Sequence, residues 1–113
     1  MSSRIVIVDA VDVDRRTIRR ALAELPADIE EWADLDGARA VLNEPPADLV
    51  VIDQGYGLAE LNRFLVEACR SVPGLHILLL GQEAHPVTHI HDAYVRKPFE
   101  VERLLATVHR LLE

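Results

Sequence analysis

Cysteine occurs once in this sequence, at position 69. A lone thiol excludes an internal disulfide framework, and within a helical pattern Cys69 is expected to act as a small buried hydrophobe rather than a nucleophile. Positive charge is scarce. Twelve Lys and Arg against nineteen Asp and Glu give a net charge of −7, and an acidic chain lacks the field that phosphate backbones require, so nucleic acid is not an expected partner. No apolar run reaches the length of a membrane span and no secretory-signal pattern is visible, so no membrane contact and a cytoplasmic location are expected. Neither a glycine-rich phosphate loop nor a nucleophile–base pair stands out, which argues against a free-standing enzyme.

Half of the 113 residues are apolar, enough for a real core, and no linker or repeat divides them; one domain over 1–113 is expected. Its organising stretch is Leu49-Val50-Val51-Ile52-Asp53. Four apolar residues in a row, three of them β-branched, read as a strand buried on both faces at the centre of a parallel sheet. Asp53 ends the run, and Gly55 and Gly57 supply a turn. Ile5-Val6-Ile7-Val8-Asp9 repeats the pattern. Ligands of open parallel sheets gather outside the carboxyl ends of the strands, so both aspartates are site candidates. A turn-capping role for Asp53 is the plainer alternative.

Around these two strands the periodicity alternates. Asp12 or Asp14 is expected to cap a helix whose inward positions are Val13, Ile18, Ala21, Leu22 and Leu25, ended by Pro26. Arg15, Arg16, Arg19 and Arg20 lie on it as a solvated or partner-docking face. Ala27–Trp32 is charged enough to be an edge strand. Asp34 caps a short helix carrying Leu35, Ala38, Val41 and Leu42. After Gly57 the positions Leu58, Leu61, Leu65, Ala68 and Val72 form another stripe, closed by Pro73-Gly74. Leu75–Leu80 and Ala93–Arg96 are further strands, and Val101, Leu104, Leu105, Val108, Leu111 and Leu112 mark a terminal amphipathic helix. Residues 81–92, with Pro86 and three histidines, have room for at most a turn or two of helix and are expected to be mobile. The alternation predicts a doubly wound three-layer α/β sandwich with a five-stranded parallel sheet of order 2-1-3-4-5, which sets Asp9 beside Asp53.

Two carboxylates at adjacent strand ends, with Lys97 delivered by a third strand, suit a divalent cation and an oxyanion. The whole chain resembles the response-regulator receiver domains of two-component signalling, CheY-like in fold. The likeness rests on Val8-Asp9, the helix from Arg15-Arg16 to Leu22, Leu49–Asp53, and Tyr94-Val95-Arg96-Lys97-Pro98-Phe99. It implies that Asp53 accepts a phosphoryl group from a histidine kinase, that Lys97 contacts that group, and that the Lys97–Pro98 bond is cis. It further implies that Asp9, Asp53 and Gly55 hold Mg²⁺, and that Tyr94 with Gly81 occupies the switch positions. The implied partners are a histidine kinase and an output domain, with a homodimer also open.

This chain departs from the family pattern in specific places. Ala10 stands where a second acidic metal ligand is usual, so Mg²⁺ binding is expected to be weak. Gly81 replaces the usual Thr or Ser, and the fourth helix must be reduced or lost. A phosphorylation-independent pseudo-receiver that serves as a docking module is therefore the alternative function. A third reading, a Zn²⁺ or Ni²⁺ site at His85, His89 and His91 with His76, has the right residue type but no supporting cluster.

Overall fold

The computed structural model describes residues 2–113. Five strands, β1 (Ser3–Val8), β2 (Ala27–Trp32), β3 (Leu49–Asp53), β4 (His76–Gly81) and β5 (Ala93–Arg96), are joined by helices α1 (Asp12–Ala21), α2 (Leu35–Val41) and α3 (Leu58–Ser71), and α4 (Val101–Leu112) follows β5. Every strand pairing is parallel and the order is β2-β1-β3-β4-β5, as the alternation of strand and helix predicts.

Period two divides the core. Val6, Val8, Val50, Ile52, Ile77 and Leu79 pack with Ala38, Leu61, Phe64 and Leu65 of α2 and α3 on one face of the sheet. Ile5, Ile7, Leu49, Val51, Leu78 and Leu80 pack with Ile18, Leu22, Leu104 and Val108 on the other. Both faces of β1, β3 and β4 are sealed from water, so their sequences are continuous apolar runs rather than alternating ones. Phe64 is fully buried among them, and its truncation to Ala is expected to cost about 3–5 kcal/mol. The edge strand β2 keeps its charges by pairing them: Glu30 with Arg4 at 2.9 Å and Glu31 with Arg19 at 3.2 Å.

Several expected positions move by one residue. Val13 is exposed, and the inward stripe of α1 runs through Asp14, Ile18, Ala21 and Leu22 instead. Neither Asp12 nor Asp14 caps that helix; Val11 holds the N-cap position without a side-chain bond, and both acids lie in the first turn, facing the positive end of the helix dipole. Asp34 does cap α2, accepting the Gly37 N–H at 3.2 Å. Leu58 is exposed while Phe64 joins the α3 stripe. Cys69 is exposed rather than buried, because it follows Ala68 around the helix and falls off that stripe. Gly74, at φ +86°, makes the turn after α3 in a conformation few side chains tolerate.

Residues 82–92 contain no helix. They are nonetheless tied to the body of the domain. The Val87 N–H donates to Gln54 Oε1 at 2.9 Å, the Thr88 hydroxyl donates to Asn62 Oδ1 at 2.6 Å, and Asp92 Oδ2 accepts the Ile77 N–H at 2.7 Å. Side-chain bonds here do the anchoring that an apolar helix face does elsewhere. Among the described residues no helix is long and apolar enough to cross a membrane.

Candidate functional site

Parallel strands end together, and the residues that follow β1, β3 and β5 meet at one edge of the sheet. Asp9 closes β1 and is 1% exposed. Its Oδ1 accepts the Val11 N–H at 2.9 Å, and its carbonyl accepts from Arg15 at 2.7 Å. Asp53 closes β3, with 20% of its side chain exposed, and Oδ2 accepts the Gly55 N–H at 2.8 Å. A side chain at position 55 would collide with that carboxylate. Lys97 follows β5; its N–H bonds Gly81 O at 2.7 Å, which continues the ladder with β4 and aims the side chain across the sheet edge. The Lys97–Pro98 bond is cis. So is Glu44–Pro45.

The Lys97 ammonium lies among three carboxylates, 2.7 Å from Asp9 Oδ2, 2.8 Å from Asp53 Oδ1 and 3.0 Å from Asp14 Oδ2. Burial would lower its pKa, but the bonds to Asp53, Asp9 and Asp14 outweigh that cost and hold it above the ordinary lysine range. Three negative charges against one positive leave a field that favours a further cation.

Asp14 escapes a reading based on capping, yet its place was legible. Counting back one turn from the buried Ile18 lands on position 14, so the same face that buries Ile18 turns Asp14 toward the strand ends. Asp12 points elsewhere and pairs with Arg15 at 2.6 Å. Ala10 is exposed and brings no ligand.

Mg²⁺ binds through one or two carboxylates and retains waters, and the hard oxygens of Asp9 and Asp53 suit it in kind. Gly55 reaches Asp53 through its N–H. Histidines form no comparable centre: among the described residues no group of three His, Cys, Asp or Glu is placed to hold a metal, and His76 Nδ1 instead lies 3.8 Å from Asp92 Oδ2.

The opposite side of the edge is built on Gln54, a residue the sequence reading passed over. Its N–H extends the ladder to Leu80 O at 2.8 Å, so by period two its side chain shares the face of Val50 and Ile52. There it is buried, and its amide donates to Glu83 Oε1 at 2.7 Å and to the Tyr94 hydroxyl at 3.3 Å while accepting from Val87. Tyr94 in turn donates to Glu83 O at 2.6 Å. Burial, then the nearby Glu83 charge, pushes the Tyr94 pKa up, whereas the bond from Gln54 lowers that of Glu83. Gly81 makes this arrangement fit. A Cβ there would stand 2.6 Å from Gln54 Nε2 and 2.7 Å from the Tyr94 hydroxyl oxygen.

No family model matches this chain, and no curated protein matches its sequence. Its fold does match solved structures. The Vibrio cholerae chemotaxis protein CheY4, crystallised at pH 4.0, is 22% identical over 99% of this chain and 100% of its own, with a TM-score of 0.86. A response regulator from Thermotoga maritima is 19% identical over 99% and 98%, with a TM-score of 0.87. NtrX from Brucella abortus is 24% identical over 99% of this chain but only 27% of its own, with a TM-score of 0.81. The architecture is thus that of the CheY-like receiver domains.

Proposed function

We propose that residues 1–113 act as one receiver module of two-component signalling, in which Asp53 accepts a phosphoryl group from a histidine kinase and passes the change to an output partner by contact. The observation that carries this reading is the Lys97 ammonium bridging Asp9 and Asp53 from a third strand end. Asp53 is the more open of the two carboxylates and has the exposure a nucleophile needs. Lys97 supplies a point charge for the incoming oxygens, and the Gly55 N–H orients the Asp53 carboxylate. Asp9 and Asp53 would hold Mg²⁺, which when bound neutralises phosphoryl charge. The module signals by its surface and is not a free-standing enzyme.

A second reading, docking without phosphorylation, draws support from the other side of the edge. Tyr94 is already bonded to Glu83 and Gln54, and Gly81 offers no hydroxyl to follow a phosphoryl group. One experiment separates the two. Titration with Mg²⁺ and beryllofluoride, followed by amide NMR, is expected to shift resonances around Asp9, Asp53 and Lys97. Acetyl phosphate should give an acid-labile adduct that Asp53→Asn abolishes. No adduct in the wild type at saturating Mg²⁺ would establish the docking module instead.

A further inference from the structure

The Lys97 ammonium has three N–H bonds to give; it donates to Asp9 at 2.7 Å and to Asp14 at 3.0 Å, and it lies 2.8 Å from Asp53 Oδ1 as an ion pair. An oxyanion delivered to Asp53 therefore meets an ammonium already shared among three carboxylates and competes with them for it. The three acids are unequal. Asp9 is buried and is also held by the Val11 N–H. Asp53 is also held by the Gly55 N–H and is itself the residue the ligand joins. Asp14 has the longest contact, 3.0 Å, is 36% exposed, and makes no other side-chain hydrogen bond among the described residues. It borders a cavity of about 240 Å³ with Thr17, Gln82, Pro98 and Phe99, so a released carboxylate has water to turn to.

We propose that Asp14 is a latch on Lys97: its carboxylate holds the ammonium until a tetrahedral oxyanion reaches Asp53, and the two anions then exchange, so that ligand arrival is felt at the first turn of α1. The latch itself makes and breaks no covalent bond. It swaps one negative partner for another, which makes Asp14 a positioning residue that lowers affinity in the resting state. That turn leads into the face where Arg16 and Arg20 are exposed, and so the exchange couples the site to a surface a partner can read. The ligand half of this inference rests on the proposed function; the hold on Lys97 does not.

Lys97 is the only lysine in the sequence, so an amine-reactive ester, read by peptide mass spectrometry, reports on this one side chain. In Asp14→Asn and Asp14→Ala, labelling of Lys97 is expected to be about twofold to fivefold faster, because one of the three carboxylates that hold the amine is gone. Asp12→Asn, which removes only the partner of Arg15, should leave the rate unchanged. Beryllofluoride with Mg²⁺ should bind Asp14→Asn about twofold to fivefold more tightly than wild type by amide NMR, since one competing partly exposed ion pair is gone. Equal labelling rates in wild type and both Asp14 variants would overturn the latch. So would faster labelling with unchanged beryllofluoride affinity. Faster labelling with no beryllofluoride bound by any form upholds the hold on Lys97 and overturns Asp53 as an acceptor.

Discussion

At the carboxyl ends of the strands, the face that buries Leu49 and Val51 carries a cluster of charges, and the face that buries Val50 and Ile52 carries a web held mainly by uncharged donors. Asp9, Asp14 and Asp53 are drawn together by Lys97, whereas Gln54 joins Tyr94, Glu83 and Val87 through an amide. Charges that converge on one ammonium can be re-partnered by an ion or an oxyanion at little cost in geometry. A buried amide with its donors and acceptors already used can be re-partnered only by losing them. In the proposed function the first side receives the ligand, while the second holds residues 82–92 in place.

Breaking the charged side should cost the most. Lys97→Met leaves Asp9 buried without its counter-charge, and is expected to cost about 3–5 kcal/mol in urea denaturation at pH 7. The pH dependence follows from the raised pKa of Lys97. The stability the ammonium contributes is complete below about pH 10.4, the free-lysine value, and is lost as pH rises from there through the higher folded value. Lys97→Met should flatten that alkaline slope.

The amide web should answer to space rather than charge. Gly81→Thr pushes a side chain into Gln54 and Tyr94, and a loss of about 1–3 kcal/mol is expected from overpacking. Gln54→Ala removes a buried hub and should cost about 1–3 kcal/mol through the donors it strands, with faster amide exchange at Val87 as the local sign. Combined, the two changes should cost less than their sum, because the alanine vacates the room the threonine needs. Strict additivity in the double-mutant cycle would show that Gly81 and Gln54 do not share this space.

The smallest expected effect sharpens the contrast. Ala10→Asp adds a carboxylate next to Asp9 at the end of β1, and Mg²⁺ binding measured by calorimetry should tighten. Without metal the exposed position should make the substitution cost less than about 1 kcal/mol. Unchanged Mg²⁺ affinity would mean that position 10 does not face the Asp9–Asp53 pair.

Sequence alone determined the sheet. Unbroken apolar runs at Ile5–Val8, Leu49–Ile52 and Ile77–Leu80 have to be covered on both faces, and strands separated by helical stripes have to pair in parallel. From that, Asp9, Asp53 and Lys97 were legible as neighbours, because parallel strands deliver their carboxyl ends to one edge. The absent helix in 82–92 was legible too, from Pro86 and a spacing with no apolar stripe. The partners of polar side chains, by contrast, were decided only in three dimensions. The spacing to Ile18 shows which face of α1 carries Asp14, but that this acid reaches Lys97 while Asp12 pairs with Arg15 depends on how the packed helix sits against the strand ends. Gln54, Glu83 and Tyr94 lie as many as 40 residues apart. Apolar burial follows a local period that a sequence displays, whereas a hydrogen bond depends on direction and on a distance of about 3 Å, which the packed core alone supplies.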